Sequence, residues 1–464
     1  MRLTIYGAAR QVTGSMHLLD VGQFKILVDC GLDYEKDRSI QSNENFPFNP
    51  AEIDVVVLTH AHIDHSGNLP TLVRLGFEGQ ILCTPPTADL TELLLLDSVS
   101  IFMKRAQGGR KKRKGKFNTG AQPLYLQKHV MDTVDRFVTI GFNRPFRING
   151  NIELTFTPVG HLLGAAAAIF KINDEGAEKS IAFTGDIGRK NYPVLDDPQP
   201  LPPVDYLVTE STYGGRHHTK DRTVEQALVE TIEKACIKEQ GRLIIPAFSI
   251  GRTQSLVYSL NKIFSSGLLP PVKVFVDSPL ASRSTEVFRK YHYLVNKEAQ
   301  DFYNGQGDEF EFDNLTYVET LKDSRQVSNY FEPCIIISSA GMLEGGRIQD
   351  HLFYNIQNYY CTILFIGYCA KGTLGHRLLR GDSIVHIKDR DLAVYATIKQ
   401  TDVLSAHGDH NDLLDTVKQL DKAKLKTIFL VHGETESMQA FAGALEDEGY
   451  DVVIPEKGIV HDLN

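Results

Sequence analysis

The chain has 464 residues, 42% hydrophobic and 23% charged, and a formal net charge of −9. That length buries large cores without disulfide or metal staples, and the mean acidity offers polyanions no general attraction. Its six cysteines are scattered with no C-x-x-C pair, which suits a reducing compartment and argues against a thiolate zinc site. The N-terminal apolar run is too short for a signal peptide, and nothing approaches the roughly 18 apolar residues of a membrane span. A cytoplasmic protein with no membrane contact is expected.

In chain order, MHLLDV (16–21) and FKILVD (24–29) flank Gly22-Gln23 and predict a hairpin. IDVVVLT (53–59) is a near-continuous apolar run, as in a strand buried on both faces. Helices are predicted over 88–104 and 121–137, and strands over 152–158, 165–172 and 180–186. From about 205 the rhythm changes to alternating strands and helices. DYLVTE (205–210), RLIIPAF (242–248), VKVFVD (272–277), CIIIS (334–338) and TILFIGY (362–368) are the strands, with helices over 222–239, 251–264 and 279–304. Repeated βα units predict a doubly wound parallel sheet. NDLLDTVKQL (411–420), KTIFLVHG (426–433), MQAFAGALEDEG (438–449) and DVVIP (451–455) add a last αβ stretch.

Residues 104–116 break the acidic average, with eight Lys or Arg and no acid in KRAQGGRKKRKGK. Such a run is either a solvated basic loop or an electrostatic landing strip for phosphates, with Lys111, Lys112 and Arg113 at its centre. It lacks the interleaved aromatics of a base-stacking platform.

The chemistry concentrates at His60-Ala-His62-Ile-Asp64-His65, directly after a predicted buried strand. Four metal-capable side chains in six residues at a strand end can be folded inward from a rigid support. Imidazole and carboxylate suit zinc, and also manganese or iron. Asp29, His161 and Asp186 close or follow other predicted strands. Singly, such residues are usually caps or turns. Together they provide enough ligands for two metals and a bridge, the arrangement that suits phosphodiester hydrolysis.

The ordered set Asp29, His60-x-His62-x-Asp64-His65, His161 and Asp186 resembles the metallo-β-lactamase superfamily. The resemblance implies an αββα sandwich in which His60, His62 and His161 bind one metal, Asp64 and His65 the second, Asp186 bridges, and Asp29 orients. The superfamily leaves the substrate open. Glu210 in VTESTYG, His376 in AKGTLGHRLLRG and His407 in LSAHGDH fall where the β-CASP nucleases keep three further motifs. IPAFSIGRTQ (245–254), VDSPLA (276–281), SSAGMLEGGR (338–347) and LVHGE (430–434) also look like that family. The resemblance spans essentially the whole chain and implies an α/β architecture. A metallo-β-lactamase domain would comprise 1–205 and 395–464, with a β-CASP domain inserted over 206–394.

On this reading His407 completes the second metal's shell. His376, among Lys371, Arg377 and Arg380, holds a phosphate oxygen or protonates the leaving oxygen, with Glu210 as its carboxylate partner. Asp64, His376, Glu210 and Asp29 form the expected catalytic set. Arg347 and the glycines of GMLEGGR are expected to meet phosphate, together with Lys371 and Arg377.

The resemblance implies that a histidine in the last motif, here His407, belongs to the RNA-processing branch. The resemblance therefore implies a ribonuclease carrying two Zn²⁺, or Mn²⁺, that cleaves single-stranded RNA with a dinuclear-metal-activated hydroxide. Cleavage by endonucleolytic or 5′-to-3′ exonucleolytic attack would leave a 3′-hydroxyl and a 5′-phosphate. The chain begins directly with the first sandwich strand and ends at Asn464, without the KH domains or C-terminal extension of some relatives. RNA selection is then expected from the site itself, the basic segment or a partner, and a homodimer is a further expectation. A DNA nuclease, a thioester or lactone metallohydrolase and a noncatalytic RNA-binding scaffold are the rival readings. The scaffold would be expected to have lost metal ligands.

Overall fold

A computed structural model describes residues 1–34, 40–111, 122–219 and 221–464, with side chains omitted for 105–111. The chain forms two units, one of residues 1–190, 197–217 and 407–464, the other of 191–196 and 218–406.

The larger unit is a sandwich of two seven-stranded sheets. Its period-two logic is clearest in the strand Val55–Val57, all three residues of which are buried. Val55 and Val57 point into the core between the sheets, while Val56 joins a second cluster with Leu27, Leu58, Leu69 and Leu72. The apolar run at 53–59 is therefore two-faced burial, with a helix layer outside the sheet. The strand Ile152–Pro158 alternates instead, and Ile152, Leu154 and Phe156 enter the same inter-sheet core with Ala168, Phe170 and Phe183 of its neighbours. Helices Pro85–Lys111 and Gln127–Val134 accompany the first sheet in sequence, and Thr435–Asp447 buries Met438, Phe441 and Leu445 beside the second. This is the αββα layering.

The strand Tyr206–Glu210 pairs in parallel with both Ala177–Phe183 and Thr427–Val431. It therefore belongs to the second sheet of the sandwich, not to the inserted unit. The boundaries expected at 205 and 395 lie at 217 and 407, because a strand binds where its ladder partners are.

The second unit holds a six-stranded sheet. Its order is Leu315–Tyr317, Lys273–Asp277, Cys334–Ser338, Arg242–Pro246, Cys361–Phe365 and Thr397–Gln400, every neighbouring pair parallel. The predicted doubly wound parallel sheet is present. CIIIS is buried throughout, as a central parallel strand requires. All six cysteines are buried and unpaired. Among the described residues no helix is long and apolar enough to cross a membrane.

Candidate metal centre

In the sandwich unit, the strands Phe24–Val28, Val55–Val57, Ala177–Phe183, Tyr206–Glu210 and Thr427–Val431 release Asp29, His60, Asp186, Glu210 and His432 at or just beyond their C-terminal ends. Rigid ladders on two sheets thus deliver side chains to one edge. The short helix Ile63–Ser66 carries Asp64 and His65. Its exposed carbonyls are capped by Ser15 N–H to Asp64, Cys30 N–H to His65 and Leu32 N–H to Ile63, at 2.8 to 2.9 Å. Gly31 permits that approach, since a Cβ there would lie 1.6 Å from the Asp64 carbonyl oxygen. Asp29 and His432 adopt left-handed backbone at φ 60° and 49°. This is strain of order 1 kcal/mol or more each, held by Asp29 N–H to Val57 O and His432 N–H to Ala8 O.

His60 Nε2 and His161 Nε2 each lie 3.2 Å from His62 Nδ1. Asp186 Oδ2 is 3.5 Å from both His60 Nε2 and His161 Nε2. Three imidazole nitrogens and a carboxylate oxygen at these separations fit a cation between them. Tetrahedral bonds of about 2.0–2.1 Å have edges of roughly 3.3 Å.

The other carboxylate oxygen, Asp186 Oδ1, faces a second set, 3.3 Å from His65 Nε2 and 3.5 Å from His432 Nδ1. Asp64 Oδ2 lies 3.5 Å from His432 Nε2. Asp64, His65 and His432 thus form a second group able to hold a metal. Asp186 Oδ1 and His432 Nε2 are buried without hydrogen-bond partners, as donor atoms of a metal site would be.

Outer contacts fix the rings. Asp29 accepts from the Thr59 backbone at 2.8 Å and the Thr59 hydroxyl at 2.9 Å, and its Oδ2 is 2.7 Å from His65 Nδ1. Thr59 Oγ1 is 3.1 Å from His60 Nδ1, and Thr212 Oγ1 3.0 Å from His432 Nδ1. Such partners set the tautomer and aim the opposite nitrogen.

Burial pushes His60 and His161 well below their usual values and His62 to about 4, helped by neighbouring imidazoles. All three are neutral, the form that binds metal. Burial opposes charge on His65 too, but Asp186 and Asp29 hold it well above its usual value. Burial likewise disfavours the Asp186 carboxylate, yet His432, His65 and His60 keep it ionised.

The sequence reading sets His407 beside Asp64 and His65; that place is taken by His432. His407 Nδ1 instead lies 3.2 and 3.3 Å from the two oxygens of Glu210. Its segment is tied to the loop after Asp186, through the Gly188–His407 bridge and Gly408 N–H to Ile187 O. Glu210 also accepts from the Ile187 backbone at 2.5 Å and, with His407 and Asp186, forms a third cluster. Glu210 thus has His407 as its imidazole partner, where the sequence reading gave it His376. The signal for His432 was present in LVHGE, a histidine immediately after an apolar strand, as with His60.

Of the remaining expected residues, His376, Arg377, Lys371 and Arg347 lie in the second unit. His376 is half-buried on the helix Leu374–Leu379, its backbone N–H donating to Thr373 Oγ1 at 3.2 Å. Arg377 and Arg380 both bind Asp382, and Lys371 is exposed. Arg347 donates to Asp277 at 2.6 Å and to the Val318 and Glu319 carbonyls, so its guanidinium is engaged in holding its own loop. Lys111 ends a described helix, but its side chain, Lys112 and Arg113 lie outside the described residues.

Three family models match the chain, the metallo-beta-lactamase superfamily over 9–134, the Beta-Casp domain over 253–378 and the Zn-dependent metallo-hydrolase RNA specificity domain over 391–455. The chain is 29% identical to Ribonuclease TTHA0252 of Thermus thermophilus over 459 residues, covering 99% of each. It is 31% identical to Transcription termination factor FttA of Methanothermobacter thermautotrophicus, across 93% of this chain and 67% of that protein. Endoribonuclease YSH1 of Eremothecium gossypii is 28% identical over 95% of this chain and 56% of its own length. A crystal structure of a protein of unknown function from Enterococcus faecalis V583 shares the fold, with a TM-score of 0.56 and 14% identity over 100% of this chain and 99% of that one. With all three models in order along one chain, one relative matched almost end to end and another 31% identical over two thirds of its length, this protein belongs to the β-CASP family of metallo-β-lactamase ribonucleases.

Proposed function

We propose that the protein is a two-zinc ribonuclease that cleaves single-stranded RNA by endonucleolytic or 5′-to-3′ exonucleolytic attack, leaving a 3′-hydroxyl and a 5′-phosphate. One observation carries the reading: the two oxygens of Asp186 face two separate donor sets, His60-His62-His161 and Asp64-His65-His432. His60, His62 and His161 would hold one ion, Asp64, His65 and His432 the other, with Asp186 between. When bound, such a pair supplies a hydroxide nucleophile at neutral pH and neutralises charge building on the phosphate. Three imidazoles with a carboxylate oxygen would suit Zn²⁺, with Mn²⁺ the alternative.

The chain's own residues supply the proton. Glu210 holds His407 at Nδ1, which orients Nε2 for donation to the departing 3′ oxygen as the P–O3′ bond breaks. His376 and the basic 104–116 segment then serve RNA binding. His60, His65, His161, Asp186 and His432 are buried, with only His62 and Asp64 partly exposed, and a flexible single strand can bend a phosphate toward them where a stiff duplex cannot. The relatives named for ribonuclease activity support RNA over DNA, thioesters or lactones.

The test is incubation of purified protein with 5′-labelled and internally labelled RNAs and matched DNAs, with and without chelator. Chelator-sensitive RNA cleavage with 3′-hydroxyl ends is the expected result. Full activity of His65→Ala or Asp186→Ala would sink the mechanism, and equal cleavage of DNA would sink the substrate.

A further inference from the structure

Beside the second donor set, and bordered by Asp186 as well, lies a small, partly open cavity of about 10 Å³, room for about one water. Its walls include Ser15, Asp29, Thr184, His65, His432 and a histidine that the site does not use, His17. His17 sits on the strand Met16–Val21, is 5% exposed and stacks on Phe183 at 6.1 Å. Its Nδ1 has no hydrogen-bond partner in the protein. Burial, with His65 and His432 facing it, pushes it down to about 3, so it is neutral.

A buried, unbonded imidazole nitrogen costs free energy in a dry void, and a void of this size, with Ser15, Asp29 and Thr184 beside Val28, Val208 and Val431 in its walls, has room and polar partners for one water. We infer that this cavity contains one ordered water bound to His17, and that His17 is a positioning residue that fixes His65 and His432 from behind. The arrangement suits that role. His65 and His432 belong to different elements, and the cavity is where both rings meet a common wall. Asp29 holds His65 at Nδ1, with the Ser15 hydroxyl 3.4 Å from its Nε2, and Thr212 holds His432 at Nδ1. A water-linked His17 would stop both rings from tilting back into the cavity, keeping the second donor set assembled before metal arrives. Outer partners of this kind change metal affinity by about 10- to 100-fold.

The inference rests on the two-metal reading, and equilibrium metal binding separates the two. Metal-free protein is titrated with Zn²⁺ against a competing chelator, for wild type, His17→Phe and His17→Asn. His17→Phe fills the void and removes the nitrogen. The expected result is an unchanged first equivalent and a second equivalent weakened about tenfold or more. His17→Asn, which keeps a polar group beside the water, should stay closer to wild type than His17→Phe. Wild-type binding of two equivalents by His17→Phe overturns the inference and leaves the two-metal reading standing. Fewer than two equivalents in the wild type overturns the two-metal reading itself. If His17→Phe does not fold, a crystal structure of the zinc-loaded wild type decides. A water within hydrogen-bond distance of His17 supports the inference, and a dry cavity overturns it.

Discussion

His407 Nδ1 lies 3.2 Å from Glu210 Oε1, and Glu210 in turn accepts from the Ile187 backbone, one residue beyond Asp186. The proton-handling pair is thereby fastened to the loop that carries the shared carboxylate. Glu210→Gln and His407→Ala should each lower turnover by roughly 10²- to 10⁴-fold with both metal equivalents retained. Because the two act as one unit, the double variant should be little worse than either single one. Single-turnover RNA cleavage with parallel metal analysis checks this. Loss of metal from His407→Ala would return that residue to the metal shell. By contrast, His376→Ala should depress RNA affinity more than turnover.

The two donor sets differ in the residues that complete them, so they should empty separately. His161→Ala removes a nitrogen 3.2 Å from His62 Nδ1 and should lose the first equivalent. His432→Ala strips the group shared with Asp64 and His65 and should lose only the second. A saturating metal that binds only the folded state at 100 times its Kd adds about 2.7 kcal/mol of stability. Chelation should therefore lower the melting temperature of the wild type clearly, and that of His432→Ala by less. Equal shifts on chelation would mean the two sets do not bind metal independently.

Much of the site was readable because strand ends are where apolar runs stop and chemistry begins. His60 to His65 follow a run of valines, and Asp186 follows SIAF. What could not be read is which strand ends share an edge. His407 and His432 both look suitable in sequence. Only the parallel pairing of Tyr206–Glu210 with Thr427–Val431 sets Glu210 and His432 side by side, leaving His407 to approach through the Gly188 bridge. The same pairing shifts the domain boundary, since DYLVTE reads equally well as the first strand of the insert. Arg347 shows a further limit. A guanidinium beside glycines looks poised for phosphate, but Asp277 is a distant residue in sequence and claims it first.

Residues 104–116 remain a sequence-level feature with eight cations. If they meet the RNA backbone, each neutralised phosphate adds about 0.7 to the slope of log affinity against log salt for a single strand. Deleting 107–116 should then flatten that slope by two or more and weaken binding at low salt most. Binding measured from low to moderate salt with an inactive Asp186→Asn protein avoids cleavage during the titration. An unchanged slope would make the segment a solvated loop.

Asp277 is the buried acid on which the inserted sheet's Gly-rich loop depends. Arg347 donates to Oδ1 at 2.6 Å, while His351 Nε2 at 2.7 Å and the Ser324 hydroxyl at 2.6 Å share Oδ2. Burial disfavours its charge, yet these donors hold the carboxyl below the usual carboxylate range. A folded value below the unfolded one, about 3.9, means the network's contribution is complete above that pH. The contribution is lost as pH falls through the folded value. Asp277→Asn keeps the shape but leaves Arg347 without its counter-charge, and breaking a buried pair costs roughly 3 kcal/mol. The variant should therefore melt well below wild type at pH 7, with the gap narrowing as pH falls below about 4 and the wild-type carboxylate is protonated. Thermal melts across that range check both halves. A gap that stays constant with pH would show that shape, not charge, is what Asp277 contributes.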